Sequence, residues 1–379
     1  MAIQIAVPRE TRAGEKRVAM TPKVAERLTK LGATILMESG AGAASGIPDS
    51  EYERFATVVK DPAQLYAQAD ITLRVQAPDI SQIRMMRENS ILASFIYAQQ
   101  HTEEVKLLCD RKITAFAMEL VPRISRAQSL DALSSQAMVA GYKAALIAAN
   151  HLARFFPMLT TAAGTIRPAK VLVIGAGVAG LQAMATARRL GAQVEGYDVR
   201  TSSKQEVESL GAKFVSANIR AEGDGGYARE LTAEERKAQQ EVLAQHVRQA
   251  DVVICAANVP GRPAPKILLR PMVDAMKSGS LVVDLAADTG GNCELTQPGQ
   301  EIHHGNVTIL GVLQVASMLA EDASQMYATN LYNLLSLFLK GGNISFDWND
   351  EVIARTVLTF AGEIKHEPTR ELLQGAVKS

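Results

Sequence analysis

Val171-Leu172-Val173-Ile174-Gly175-Ala176-Gly177-Val178-Ala179-Gly180 is the stretch whose reading decides the fold. Its four apolar residues read as a buried parallel strand, and its three glycines, spaced G-x-G-x-x-G, open a helix-like run that continues to Leu190. Each glycine has a task in that reading. Gly175 permits the tight turn from strand to helix, Gly177 lets a pyrophosphate approach the backbone, and Gly180 lets helix and strand pack closely. The helix start then turns free N–H groups and the positive end of its dipole toward phosphate oxygens.

A second strand, Val194–Tyr197, ends at Asp198, 18 residues past Gly180. An acid at that place accepts ribose hydroxyls and repels a 2′-phosphate, so the expected cofactor is NAD(H). The glycine spacing alone also fits a doubly wound domain that binds nothing. Strand, helix and acid in this order favour the dinucleotide.

A chain of 379 residues suggests two domains, each able to bury a core. Lys+Arg 40 balances Asp+Glu 40, so nothing points to nucleic acid or to a charged membrane surface. Cys109, Cys255 and Cys293 lie far apart, with neither metal-ligand spacing nor an even disulfide set; no metal is expected, and a reduced, cytoplasmic compartment fits. Met1–Pro8 reads as a first strand and not as a secretion signal. No window offers the ~18 uncharged apolar residues of a membrane span, so direct insertion is not expected.

Short apolar or β-branched runs at 3–7, 34–37, 70–75, 91–96 and 113–117 alternate with helical patterns such as Pro22–Leu31, which predicts a parallel-sheet domain. Residues 129–154 contain almost no breaker and predict one long helix crossing between domains, with Ser129 as its N-cap. Runs at 171–174, 193–197, 213–215, 252–256, 280–284 and 307–310 give a six-stranded Rossmann domain. Ala316–Lys340 is again helical, and 344–362 alternates like a terminal hairpin. The expectation is an α/β chain of two Rossmann-like parallel-sheet domains joined by long helices with a cleft between them: 1–133 with 320–379, and 134–319.

Three polar stretches could carry chemistry. Val121–Ser135 is dense in polar groups: Arg123 offers a planar fork that an Arg–Asp pair would fix, and Gln128 offers an amide suited to a carboxamide. A capping and salt-bridge cluster at a helix start explains the same residues equally well. Arg17 would serve a carboxylate substrate or a surface ion pair, and Gly290-Gly291 marks a tight turn near the carboxyl edge of the sheet, where ligands lie. Cys293 reads as a packed thiol. Apart from these, Ala221–Leu231 sets three glycines around Tyr227, which fits either a closing lid or a solvated loop whose tyrosine packs down.

These features together resemble the alanine dehydrogenase and nicotinamide nucleotide transhydrogenase superfamily over nearly the whole chain. The resemblance rests on Pro8-x-Glu10…Arg17-Val18-Ala19-x-Thr21-Pro22 and on the glycine fingerprint closing in Gly191-Ala192-x-Val194-x-x-x-Asp198. Within it, Pro122–Ser135 is similar to the Arg-Gln-Asp loop of the transhydrogenase branch. That likeness implies that Arg123, Gln128, Asp131 and Ser134 hold the nicotinamide end, with Gln128 also steadying a second nucleotide. It implies that Val178, Asp198, Val199 and Arg200 hold the adenosine half, that Tyr227 tips a closing loop, and that Gly226, Gln239 and Asn258 line the same cleft. It further implies a homodimer that is peripheral on the inner membrane through two partners, an NADP(H)-binding component and a membrane-spanning component. Hydride would pass directly between NADH and NADP+, coupled to proton translocation.

Two departures separate the branches. Alanine dehydrogenases of this superfamily place a substrate lysine where this chain has Gln76 and a catalytic histidine where it has Tyr97. Amine oxidation requires a group that titrates near neutrality, which glutamine lacks and tyrosine, at ~10, does not supply. Arg17 alone would only bind a carboxylate. A stand-alone amino-acid dehydrogenase is therefore the weaker reading, and so is a non-catalytic NAD(H) sensor, which has no need of the polar loop at 123–134.

Overall fold

The computed structural model describes residues 2–217, 229–259, 261 and 263–375. The chain divides into two compact units, Met1–Gln136 with Ser317–Ser379, and Ala137–Ala316. Both are α/β and built on parallel-dominated sheets, the predicted fold class.

In the first unit, Ile3–Val7 pairs in parallel with Ala33–Glu38 on one side and Ile71–Leu73 on the other. Ala56–Val59 extends the first side, and Ile91–Ser94 and Thr114–Ala117 extend the second. Such strands must be covered on both faces. Ile5, Val7, Ile35, Met37, Ile71 and Leu73 bury one face together with Tyr327, Leu331, Leu334, Leu335 and Phe338 of the helix Ala320–Phe338. Leu92, Ala115 and Ala117 bury the other with Val105 and Leu108.

The tail departs from a single terminal hairpin. Leu339–Lys340 and Asn343–Ile344 form a short hairpin, a helix Glu351–Thr356 follows, and Val357–Phe360 adds antiparallel to Thr114–Ala117. Asp350 starts that helix by accepting the N–H of Val352 at 2.8 Å.

In the second unit the strand order is Lys213–Val215, Gln193–Tyr197, Lys170–Ile174, Val252–Cys255, Leu281–Asp284, Val307–Gly311, Glu301–His304. The last strand is antiparallel and brings the sheet to seven among the described residues, one more than the six expected. The chain winds outward from Lys170–Ile174 and then restarts beside it at Val252, so the switch of direction lies between these two strands.

The long helix runs from Ala132 to His151. Ser129 is not its cap: Ser125–Leu130 forms a 3-10 turn, and the Asp131 carboxylate accepts the N–H of Ser134 at 2.8 Å, the bond of an N-cap. Ser129 is taken up elsewhere, its carbonyl accepting the side-chain amides of Asn330 at 2.9 Å and Asn333 at 2.8 Å.

Candidate functional site

The glycine loop follows the buried strand Lys170–Ile174 and opens the helix Val178–Arg189. Gly175 adopts φ +99°, and a Cβ there would lie 2.8 Å from the backbone of Ala256 and Ala257, so both turn and neighbour require glycine. At Gly180 a Cβ would lie 1.7 Å from the Gly175 carbonyl oxygen, which is the close packing of helix on loop. Gly177 is different. Its φ of −81° suits any residue, and a Cβ would meet no described residue within 4 Å. Packing by the described residues therefore does not explain glycine at 177, and the space over it could take a ligand. Gly177 is also the N-cap and supplies no side-chain cap, which leaves the N–H groups of the first turn to a ligand. Val178, 36% exposed, stands beside it as an apolar surface.

Asp198 ends the next strand, half-buried. Its Oδ2 accepts the loop N–H of Ala176 at 2.8 Å, so the acid fastens the glycine turn. Both of its oxygens also face Arg200: Oδ1 accepts the backbone N–H at 2.8 Å and Nε at 2.9 Å, and Oδ2 accepts Nη2 at 2.8 Å. Four donors fill the four acceptor positions of a carboxylate. A ribose diol would displace Arg200 from Asp198 and would not add to a bare acid. Arg200 also neutralises the charge that was expected to repel a 2′-phosphate. Val199, between them, packs against the core beneath.

Gln239 lies in the helix Ala233–Gln249, buried beside the hydroxyl of Tyr197, which burial pushes up to about 12. Asn258 is exposed, three residues past the strand Val252–Cys255 at the switch point. Gly226 and Tyr227, with the lid expected around them, lie outside the described residues.

The stretch after Leu281–Asp284 proves to be scaffolding. Fully buried Asn292 accepts the N–H of Ala257 at 3.0 Å and donates to the Ala257 carbonyl at 2.7 Å, bracing the chain that faces Gly175. Asp284 accepts from Cys293 N–H at 2.9 Å and Thr296 Oγ1 at 2.6 Å, and Gly291 at φ +81° makes room for it. Cys293 is a packed thiol, raised by burial and therefore inert. Gly141, which sequence reasoning did not single out, lets the long helix meet the glycine-loop helix, since a Cβ there would lie 2.0 Å from the Ala179 oxygen.

The polar loop of the first unit is pinned rather than loose. Ala127 and Leu130 are buried in its core, and Arg126 forms a two-point ion pair with Asp350 at 2.8 and 2.6 Å. That pair holds the Asp350 carboxyl down at about 2. Ser129 is tied through its carbonyl as described, and Ser135 Oγ donates to Asn330 Oδ1 at 2.7 Å. The effect is to present the side chains of Arg123 and Gln128 outward from a fixed backbone. Asp131 is engaged by Ser134, whose hydroxyl donates to Oδ2 at 2.6 Å. Asn330, Asn333 and Asp350 were invisible to sequence reasoning because they lie about 200 residues or more away in the chain.

Arg17 is buried in an ion pair within its own unit. It is 6% exposed, and its Nε and Nη2 donate to Glu15 at 2.8 and 2.6 Å. Gln76 Nε2 donates to the same Glu15 at 2.6 Å. Although burial pushes the Glu15 carboxyl up, these donors and the Arg17 charge hold it at about 2. Tyr97 sits at φ +50°, unusual for a tyrosine, next to Glu119, whose carboxylate accepts the N–H groups of Ile96 and Tyr97. Burial raises Glu119 to about 6.

Residues 6–140 match the alanine dehydrogenase/PNT N-terminal domain and residues 144–367 match the C-terminal domain of the same family. The chain belongs to the alanine dehydrogenase/PNT family. Within the family it is 43% identical over 364 residues to NAD(P) transhydrogenase subunit alpha of Haemophilus influenzae, covering 95% of this chain and 71% of that one. Identity to alanine dehydrogenase of Mycobacterium tuberculosis is 32% over 300 residues, covering 78% and 76%. The crystal structure of a transhydrogenase from Sinorhizobium meliloti superposes with a TM-score of 0.85 at 40% identity, covering 96% and 99%.

Proposed function

We propose that this chain is the NAD(H)-binding component of a proton-translocating transhydrogenase. The observation that carries the reading is the pinned backbone of the polar loop, which leaves Arg123 and Gln128 exposed beside the bonded pair Asp131 and Ser134, while Arg17 is bound to Glu15. Such a set positions a nicotinamide and performs no amine chemistry. The open space over Gly177 and the uncapped helix start support pyrophosphate binding; Gly175, Gly180, Val178, Asp198, Val199, Arg200 and Asn258 would surround the dinucleotide, with Gln239 supporting Tyr197 beneath.

Bound NAD(H) supplies the hydride. The residues of this chain orient the nicotinamide toward NADP(H) held on a partner component, and orientation with exclusion of water is the whole of their contribution. Among the described residues no helix is long and apolar enough to cross a membrane. In this reading a membrane-spanning component carries the proton and holds this chain at the membrane surface. The chain acts as a homodimer. The helix Ala320–Phe338 spends its apolar face inside its own unit and so lends that reading no surface. Support comes from the ribbon Leu159–Thr161 and Gly164–Ile166, which pairs with no other described strand, and from exposed Phe155, Met158 and Ile166 around it.

Hydride exchange with a purified NADP(H)-binding component tests the proposal. The chain should transfer hydride with that partner and show no turnover with NAD and alanine alone. Gln128→Ala should slow transfer at least tenfold while NADH affinity falls less than tenfold, since one lost amide contact is worth only about 0.5–1.5 kcal/mol. Alanine oxidation by the unmodified chain would overturn it.

A further inference from the structure

Arg17 has a second side-chain partner. Its Nη1 donates to Oε1 of Gln136 at 2.8 Å, and Gln136 Nε2 donates to the carbonyl of Ala323 at 3.1 Å. Glu15 meanwhile accepts Ser317 Oγ at 2.5 Å and the Gln76 amide, and Gln76 accepts Arg12 Nη1 at 3.0 Å. A lysine at 76 has no acceptor and would break that last link. Glu15, Arg17, Gln76 and Gln136 are each less than a tenth exposed, so this is a buried polar network joining the N-terminal segment, a strand end, the long helix and the segment from Ser317.

Burying charges in this way adds little stability over well-packed apolar side chains, and the best-attested use of such groups is to fix a register. The register fixed here is specific. Gln136 lies near the start of the helix Ala132–His151, two residues past Ser134 and five past Asp131. The Asn330 bonds to Ser129 and Ser135 set how close that turn comes to its neighbour; the Arg17 fork, which accepts one direction of approach, sets its rotation. We infer that Arg17 and Gln136 are positioning residues for the proposed hydride transfer, acting through Asp131 and Ser134 and never touching nucleotide. This rests on the function proposed above.

The test compares Gln136→Met, which removes the acceptor at nearly constant volume, with Gln136→Glu, which restores it. Arg17→Lys serves as a second break, because it keeps a charge for Glu15 but cannot span Glu15 and Gln136. With the NADP(H)-binding component present, Gln136→Met and Arg17→Lys should lower kcat for transfer at least tenfold with NADH Kd changed less than threefold. Gln136→Glu should recover at least half of wild-type kcat. Gln128→Ala runs alongside: if it impairs transfer and neither break does, the positioning role fails while the proposed function stands. If the wild-type chain transfers no hydride, the function fails, and amide exchange still decides the positioning claim. NADH should then protect amides 131–136 in the wild type and in Gln136→Glu but not in the two breaks. Equal protection in all four, or Kd and kcat falling together without recovery in Gln136→Glu, overturns it.

Discussion

Replacing the three loop glycines one at a time by alanine separates a nucleotide cradle from a loop that is glycine-rich for packing alone. At Gly177 the added methyl meets no described residue within 4 Å and φ is −81°, so the described fold tolerates it. Two small terms oppose each other there. Alanine stabilises by reducing unfolded-state freedom, about 0.4–1 kcal/mol, and as an N-cap it costs a comparable amount relative to glycine. The net should stay within about 1 kcal/mol, a Tm change of no more than roughly 4 °C for a unit of this size. At Gly180 the methyl would sit 1.7 Å from the Gly175 oxygen, so helix and loop must part. Overpacking of that kind costs about 1–3 kcal/mol. Gly175→Ala adds a clash at 2.8 Å to a φ of +99°, a left-handed strain of about 1–2 kcal/mol. Melting curves and NADH fluorescence titration then give the answer. Gly175→Ala and Gly180→Ala should lose stability and binding together. Gly177→Ala should keep its Tm and bind NADH at least tenfold more weakly, about 1.4 kcal/mol. Wild-type affinity in Gly177→Ala would refute the assignment of that space to a pyrophosphate.

Three other outcomes follow from named contacts. With Arg200 displaced by the ribose diol, Asp198 should favour NADH over NADPH at least tenfold, and Arg200→Ala should widen that ratio, because it removes the cation that neutralises the acid; an unchanged or narrower ratio by titration counts against the charge argument. Glu119 holds its proton to about 6 in the folded state against 4.5 when free, so the folded chain binds more protons between those values and stability falls, by about 2 kcal/mol, as pH rises from 4.5 to 6. Urea titrations at a series of pH values should show that slope in the wild type and not in Glu119→Gln. Sedimentation at micromolar concentration should give a dimer, and Met158→Asp should shift it toward monomer; a monomeric wild type refutes the homodimer.

The fingerprint was legible because its logic is local. Turn, cradle and packing are set by residues within a few positions of one another, and the acid 18 residues on is placed by one βαβ unit. The polar loop was legible in composition but not in construction. Ser129 and Asp131 are both good N-caps, and the choice fell to Asp131 because Asn330 and Asn333, 201 and 204 residues later, hold the Ser129 carbonyl. Arg17 misled for a related reason. A buried arginine reads the same in sequence whether its fork meets a ligand or a neighbour, and its neighbour here is Glu15, two residues away, together with Gln136, 119 residues away. An apolar helix such as Ala320–Phe338 likewise cannot reveal from its composition whether its own unit or a second copy will cover it.

The two units use one topology in opposite ways. Each winds outward from a first strand and restarts beside it, and ligands in such sheets lie at the carboxyl ends of those two strands. In the second unit the first strand ends in glycines, and the helix start beyond it is uncapped. In the first unit the strand Ile3–Val7 ends in Pro8-Arg9-Glu10, and the Glu10 carboxylate fills the corresponding place. It accepts the N–H of Val75 at 2.6 Å and of Gln76 at 3.4 Å, both just past Ile71–Leu73, and pairs with fully buried Arg74 at 3.1 Å. Burial raises Glu10 against the pull of Arg74, so the ion pair is a costly plug and not a surface ornament. Glu10 and Glu15 thus set two carboxylates against the turn at Val75 and Gln76, just past that strand. In the proposed reading the first unit offers a nucleotide the pinned loop of Arg123 and Gln128, and the chemistry is positioning.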